Sequence, residues 1–197
     1  MHKPHESAPD PRQLAILTAA FEVFARYGFR RTSMEDIARA AGMSRAALYL
    51  HYRSKEDIFQ SLVQIYFDKT CAEVTRILGL GLPPVQALSA AFAAQGGAVA
   101  EALMSSPHGA EFSDARTLVT AEIVRVGEAQ LNGIYAGWLE QEAGAGRVSL
   151  VGLGPANALA ATMLAALNGV KDGAKDYPGY VAAVARLAAV FGRGVAV

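Results

Sequence analysis

The 197-residue sequence predicts an all-α protein, and three observations predict it. Apolar residues recur at spacings of three and four. Glycine and proline clusters interrupt those runs at intervals of about one helix length. No segment sustains the period-two alternation with β-branched residues that a half-buried strand needs. With 52% hydrophobic and 18% charged residues, the composition is that of a compact globular chain.

Residues 1–10 read as a flexible tail, because they carry prolines and mixed polar residues and no apolar stretch of the kind a secretion signal requires. From Pro11 to Tyr27, the residues Leu14, Leu17, Phe21 and Phe24 mark one face of a helix that Gly28 ends. Thr32-Ser33-Met34-Glu35 has the form of a capping box, a hydroxyl three residues ahead of a carboxylate. Met34, Ile37, Ala38 and Ala41 then face one way up to Gly42. Ser44 caps a third helix that reaches about Tyr52. Ser54 with Asp57 opens a fourth, with Ile58, Leu62 and Ile65 on its stripe, running past residue 70 to the break at Gly79-Leu80-Gly81-Leu82-Pro83-Pro84. Further helices are expected at about 84–104, 107–112, 113–143, 155–172 and 178–193. The expected organisation is a tail at 1–10, a three-helix domain at 11–54 and a larger helical domain at 55–197.

Residues 34–52, MEDIARAAGMSRAALYLHY, have the form of a helix-turn-helix. Two short helices crossing steeply need a small residue where they touch, a residue tolerant of positive φ in the turn, and apolar plugs from both sides. Ala38, Gly42, and Ile37 with Met43 and Leu48 fill those roles in order. On a helical wheel the second helix puts Arg45, Ala46, Tyr49, Leu50 and Arg53 on one arc, with Leu48 opposite. Such an arc fits a major groove, and a guanidinium such as Arg45 bonds guanine bidentately. Ser33 and Lys55 lie at helix N-termini, where free backbone N–H groups already favour phosphate. Arg26, Arg30 and Arg31 read as a solvated edge.

From Arg31 to Phe59 the run RTSMEDIARAAGMSRAALYLHYRSKEDIF resembles the DNA-binding domain of the TetR family of bacterial transcription regulators. The T-S-x-x-D-I-A start, A-G-x-S turn, L-Y-x-H-Y end and S-K-E opening of the fourth helix carry the resemblance, which covers about residues 11–60. It implies a homodimer on a palindromic double-stranded operator, with Ser33, Ser44, Arg45, Ala46, Tyr49, Leu50, His51 and Lys55 at the DNA. Of these, Tyr49, His51 and Lys55 would lie near phosphates, and Arg45, Ala46 and Leu50 would face bases. Ala47 stands where many members carry a phosphate-contacting threonine. The resemblance also implies an effector cavity in the ligand-binding and dimerisation domain, for which Phe67, Phe92, Met104, His108, Phe112, Tyr135, Trp138 and Met163 are the candidate lining residues. Its apolar character favours a small, largely apolar effector. The last two helices would pair with those of a second copy.

The residues by themselves also predict an apolar face on 155–172 and 178–193, which either meets a copy of the chain or completes the monomer core. Residues 1–60 hold nine Lys/Arg against seven Asp/Glu, too small an excess to signal nucleic acid. Cys71 is the single cysteine and reads as a packing residue, so neither a disulfide framework nor a zinc cluster is expected. Gly152-Leu153-Gly154 lacks the spacing and setting of a nucleotide loop, and no cofactor is expected. The apolar stretches are too interrupted for a membrane span, which predicts a cytoplasmic protein. Two alternatives stand beside the regulator released by an effector: a DNA-binding regulator without a small-molecule effector, and a small helical ligand-binding enzyme. No nucleophile-base pair or recognisable carboxylate pair favours the enzyme.

Overall fold

The computed structural model describes residues 10–109, 111 and 119–197. Among them the chain forms helices α1 (Pro11–Tyr27), α2 (Met34–Ala40), α3 (Arg45–Tyr49), α4 (Lys55–Leu78), α5 (Pro84–Met104), α6 (Ala121–Gly144), α7 (Ala156–Gly173) and α8 (Tyr177–Gly194). The described residues form no strand. One isolated antiparallel bridge joins Val148 to Ala196. The fold is all-α, as the spacing of its apolar residues requires.

The chain packs as two units. Among the described residues, one comprises 10–64, 106–109, 111 and 119–121, the other 65–105 and 122–197. This differs from a division after residue 54, and the reason is local. The first turns of α4 supply Ile58, Phe59 and Val63, all buried, to the first unit. There Phe59 meets Phe24 and Phe29 with ring centroids 5.9 and 5.0 Å apart. Residues 106–111 join that unit through hydrogen bonds to α1 and the turn after it.

In the first unit each short helix is started by a side chain. Asp10 caps α1, accepting from the Arg12 and Gln13 amides at 2.8 Å, with Gln13 reaching back to the Asp10 amide. The buried face of α1 is Ile16, Leu17, Ala20, Val23 and Phe24; Leu14 is 38% exposed and Phe21 half-buried, so the stripe is rotated from the one expected. The capping box of α2 also shifts by one residue. Ser33, not Thr32, is the cap, and Asp36, not Glu35, answers it. Thr32 is buried and donates its hydroxyl to the Gly28 carbonyl at 2.7 Å, which removes it from the competition.

The second unit rests on apolar packing. Helices α5 and α7 start at prolines with no side-chain cap. The packing of α5 on α8 is close: a Cβ on Gly192 would strike the backbone of Val85, and one on Gly96 would strike the Tyr180 ring. Helix α5 kinks at Gly97, whose φ of 44° and ψ of −151° lie outside the helical region. In the last turn of α6, the carboxylate of Glu142, a residue 4% exposed, accepts from both Nε and Nη2 of Arg147, the latter at 2.7 Å. The helix expected over 113–143 is observed from Ala121. Thr120 is buried and non-helical, and residues 112–118 fall outside the described set. No helix among the described residues is long and apolar enough to cross a membrane.

Candidate nucleic-acid interface

The turn between α2 and α3 is built from backbone hydrogen bonds. The Met43 amide donates to the Ala38 carbonyl at 3.0 Å and the Gly42 amide to the Arg39 carbonyl at 3.2 Å, the paired closure of a helix ending in a left-handed residue. Gly42 supplies that conformation at φ 67°, where a side chain would be strained. Ser44 follows immediately. Its Oγ accepts from the Ala47 amide at 3.1 Å and starts α3, and Leu48 anchors that helix from below, fully buried. A helix of five residues is thus held at its start and from beneath.

Its outer side carries Arg45, Ala46, Tyr49 and Leu50, all exposed, with Leu50 at 86% and Tyr49 at 43%. Leaving a leucine that exposed has a cost in water, which contact with a partner surface would recover. The Arg45 guanidinium lies over the Tyr49 ring, 5.5 Å from its centroid, and donates to the Tyr49 hydroxyl at 3.3 Å. That hydrogen bond is the first cause raising Arg45 above the usual arginine range, so the group is cationic at every relevant pH.

The remaining expected residues divide. Ser33 and Ser44 are exposed helix caps; Ser33 also donates to Asp36 Oδ2 at 2.6 Å, which holds the Asp36 carboxyl below its ordinary range. His51 is half-buried beyond the end of α3. Lys55 is turned inward. Its Nζ donates to the carbonyls of Phe29 (2.7 Å), Arg30 (3.0 Å) and Thr32 (3.0 Å) and lies 4.8 Å from the Phe29 ring centroid. An ammonium has three protons, and all three are placed on the turn between α1 and α2.

Of the expected effector-lining residues, Phe67, Phe92, Tyr135, Trp138 and Met163 are buried in the second unit, and Met104 is half-buried at the end of α5. Phe92 and Tyr135 meet edge to face, centroids 5.7 Å apart. His108 belongs to the first unit instead. It borders an open cleft of about 520 Å³ with Glu22, Arg26, Tyr27, Arg31, Asp36 and Arg39, because the 106–111 segment is tied to α1. Phe112 lies outside the described residues. Sequence reasoning missed a polar group at the α5 kink. The Tyr66 hydroxyl donates to the Gln95 carbonyl at 2.7 Å and the Tyr135 hydroxyl to Gln95 Oε1 at 3.1 Å. Burial pushes the nearby Tyr180 phenol up to about 12 and Tyr135 higher still. The adjacent pair Gly96-Gly97 inside an alanine-rich helix was the available signal. Cys71 is half-buried; burial and then Asp68 push its thiol up, as expected of a packing residue.

These features define a class: a helical protein that presents a short, tightly braced helix-turn-helix with a cationic and aromatic outer face. Residues 16–62 match the model of the bacterial regulatory proteins of the tetR family. It is 40% identical over 60 residues to the uncharacterized HTH-type transcriptional regulator YfiR of Bacillus subtilis, covering 30% of this chain and 29% of that protein. It is 31% identical over 88 residues to the HTH-type transcriptional repressor KstR2 of Mycolicibacterium smegmatis, covering 45% and 43%. The matches thus span less than half of these relatives. Among solved structures, a transcriptional regulator from Cytophaga hutchinsonii superposes with a TM-score of 0.73 at 21% identity, over 95% of this chain and all of that one. SmeT, the repressor of the Stenotrophomonas maltophilia multidrug efflux pump SmeDEF, superposes at 0.68 and 20%, over 96% and 90%. At such identities the likeness is one of fold.

Proposed function

We propose that this protein is a sequence-specific DNA-binding transcription regulator, a repressor that leaves a palindromic operator when a small, largely apolar effector binds. The observation that carries the reading is the outer face of α3, where Arg45, Ala46, Tyr49 and Leu50 stand exposed on a helix whose cap, turn and anchor are all satisfied. In this reading Arg45 reads guanine, Ala46 and Leu50 meet the bases, and Tyr49, His51 and the Ser33 and Ser44 hydroxyls lie against phosphates. Lys55 acts from behind, holding the turn.

The protein acts as a homodimer, which sets two recognition helices about one DNA turn apart. Support comes from the free sides of α7 and α8. Ala158, Ala161, Ala165 and Gly169 on the one, and Val181, Ala185 and Val190 on the other, are exposed, with Val190 at 67%. The effector binds among α4 to α7 near Phe92, Tyr135 and Met163 and acts through its preference for the DNA-free state. Because these side chains are already packed, a ligand must open the site. That packing also favours a second reading, a regulator without a small-molecule effector, and a thermal-shift screen with apolar ligands separates the two.

The test is selection of bound sequences from a random DNA pool by the purified protein, followed by titration across a salt series. The expected result is enrichment of a palindrome, bound as a dimer, with Arg45→Ala losing preference among sequences. Equal affinity for enriched and random DNA overturns the reading.

A further inference from the structure

The turn between α1 and α2, residues 28–32, determines where α2 begins, because the next residue, Ser33, is the cap of that helix. Its carbonyl side is held by Lys55. Its N–H side is held by a residue from far along the chain: Glu111 Oε1 accepts from the Arg30 amide at 2.6 Å, a charge-assisted bond across 81 positions of sequence. The cation thus lies against the carbonyls and the anion against the amide, so each charge stabilises the peptide dipoles it faces. Two further features fit Glu111 to this place. Gly28 has no side chain where the carboxylate approaches, and any Cβ there would collide with it. The segment that carries Glu111 is itself fastened, with Ser106 Oγ donating to the Ala25 carbonyl at 2.5 Å and accepting from the His108 amide at 3.0 Å. His108 Nδ1 lies 3.7 Å from Glu111 Oε2.

We propose that Glu111 is a positioning residue of the DNA-binding unit: its hydrogen bond to the Arg30 amide, opposite Lys55, sets the turn that places α2 and, through the Gly42 turn, α3. The inference rests on the DNA-binding reading above. It means that the recognition surface is incomplete in residues 10–64 and is finished by the segment that carries Ser106, His108 and Glu111.

The experiment uses the full-length chain with Glu111→Ala, Glu111→Gln and, should the first fail to fold, Ser106→Ala, which loosens the same segment more mildly. Two quantities are measured: hydrogen exchange at the Arg30 amide in the free protein, and affinity for the sequence enriched by the wild type. Glu111→Ala is expected to speed Arg30 exchange and weaken binding, each about ten- to hundred-fold, the range for a lost hydrogen bond to a charged group. Glu111→Gln keeps an oxygen acceptor and restores most of both. Ser106→Ala shifts both in the same direction by less. Wild-type Arg30 exchange in Glu111→Ala overturns the proposal, as does faster exchange with DNA affinity within twofold of wild type. A wild type that enriches no sequence ends the DNA-binding reading instead, while Arg30 exchange still reports whether Glu111 grips the turn.

Discussion

The two packing units are held by different means. In the first, Asp10, Ser33, Ser44 and Ser54 each satisfy backbone amides at a helix start, and Lys55 and Glu111 satisfy the turn between two of those helices. In the second, α5 and α7 begin at prolines without side-chain caps, and the unit depends on Phe92, Tyr135, Leu139 and Met163 in the core and on the closeness of α5 to α8. Directional hydrogen bonds fix one geometry, whereas apolar contacts are graded and can be remade around an inserted molecule. In the proposed reading, the first unit must hold one geometry against DNA and the second must yield to a ligand, and the difference in construction fits that division.

The comparison breaks most readily in the second unit. Phe92→Ala removes a fully buried ring and is expected to cost about 3–5 kcal/mol, seen as a lower denaturation midpoint. Faster amide exchange should be concentrated in residues 65–105 and 122–197. Equal loss of protection in α1 to α3 would mean that the two units unfold as one. Next comes Arg45→Ala, expected to reduce discrimination between the enriched sequence and random DNA by about ten- to hundred-fold with the melting temperature unchanged. A loss of stability instead would assign Arg45 to the fold.

The third effect is a pH dependence. The Arg147 guanidinium, chiefly through its hydrogen bonds, holds the Glu142 carboxyl below the ordinary glutamate range. A depressed folded-state value means that this contribution is complete above the unfolded value and is lost as pH falls through the folded one. Glu142→Gln should therefore lower the melting temperature at neutral pH by about 2–4 °C and flatten its decline in acid. An unchanged acid profile would show that the pair adds nothing. The smallest effect is Ser44→Ala, about 1 kcal/mol by chemical denaturation, since it removes one cap from a five-residue helix. Its cost in DNA affinity should exceed that figure if the cap sets the attitude of α3.

What was legible in the sequence follows the same division. The helix-turn-helix could be read residue by residue because its instructions are local: Gly42 for the turn, Ser44 for the cap, Leu48 for the anchor. Two slips fall there: Thr32 with Glu35 in place of Ser33 with Asp36, from two adjacent hydroxyls that only burial distinguishes, and a third helix expected to reach about Tyr52 that ends at Tyr49. Lys55 was expected near a phosphate, and its inward orientation was not legible because its acceptors are carbonyls 23 to 26 residues away. Glu111 had no local signal at all. For His108 the residues alone left two readings, a pocket wall or the cap of a short helix, and the neighbouring Ser106 hydroxyl, which binds both the His108 amide and the Ala25 carbonyl of α1, is not visible in local sequence.

Lys55 also has a chemical consequence. An amine whose three protons are all given to carbonyls, with its face against a phenyl ring, has no lone pair to offer an acylating reagent. It must first leave the turn, whereas Lys175 is exposed at the surface and should acylate far sooner. The ratio of the two labelling rates therefore serves as a clock for how often the turn between α1 and α2 comes open, readable by mass spectrometry without any DNA in the tube.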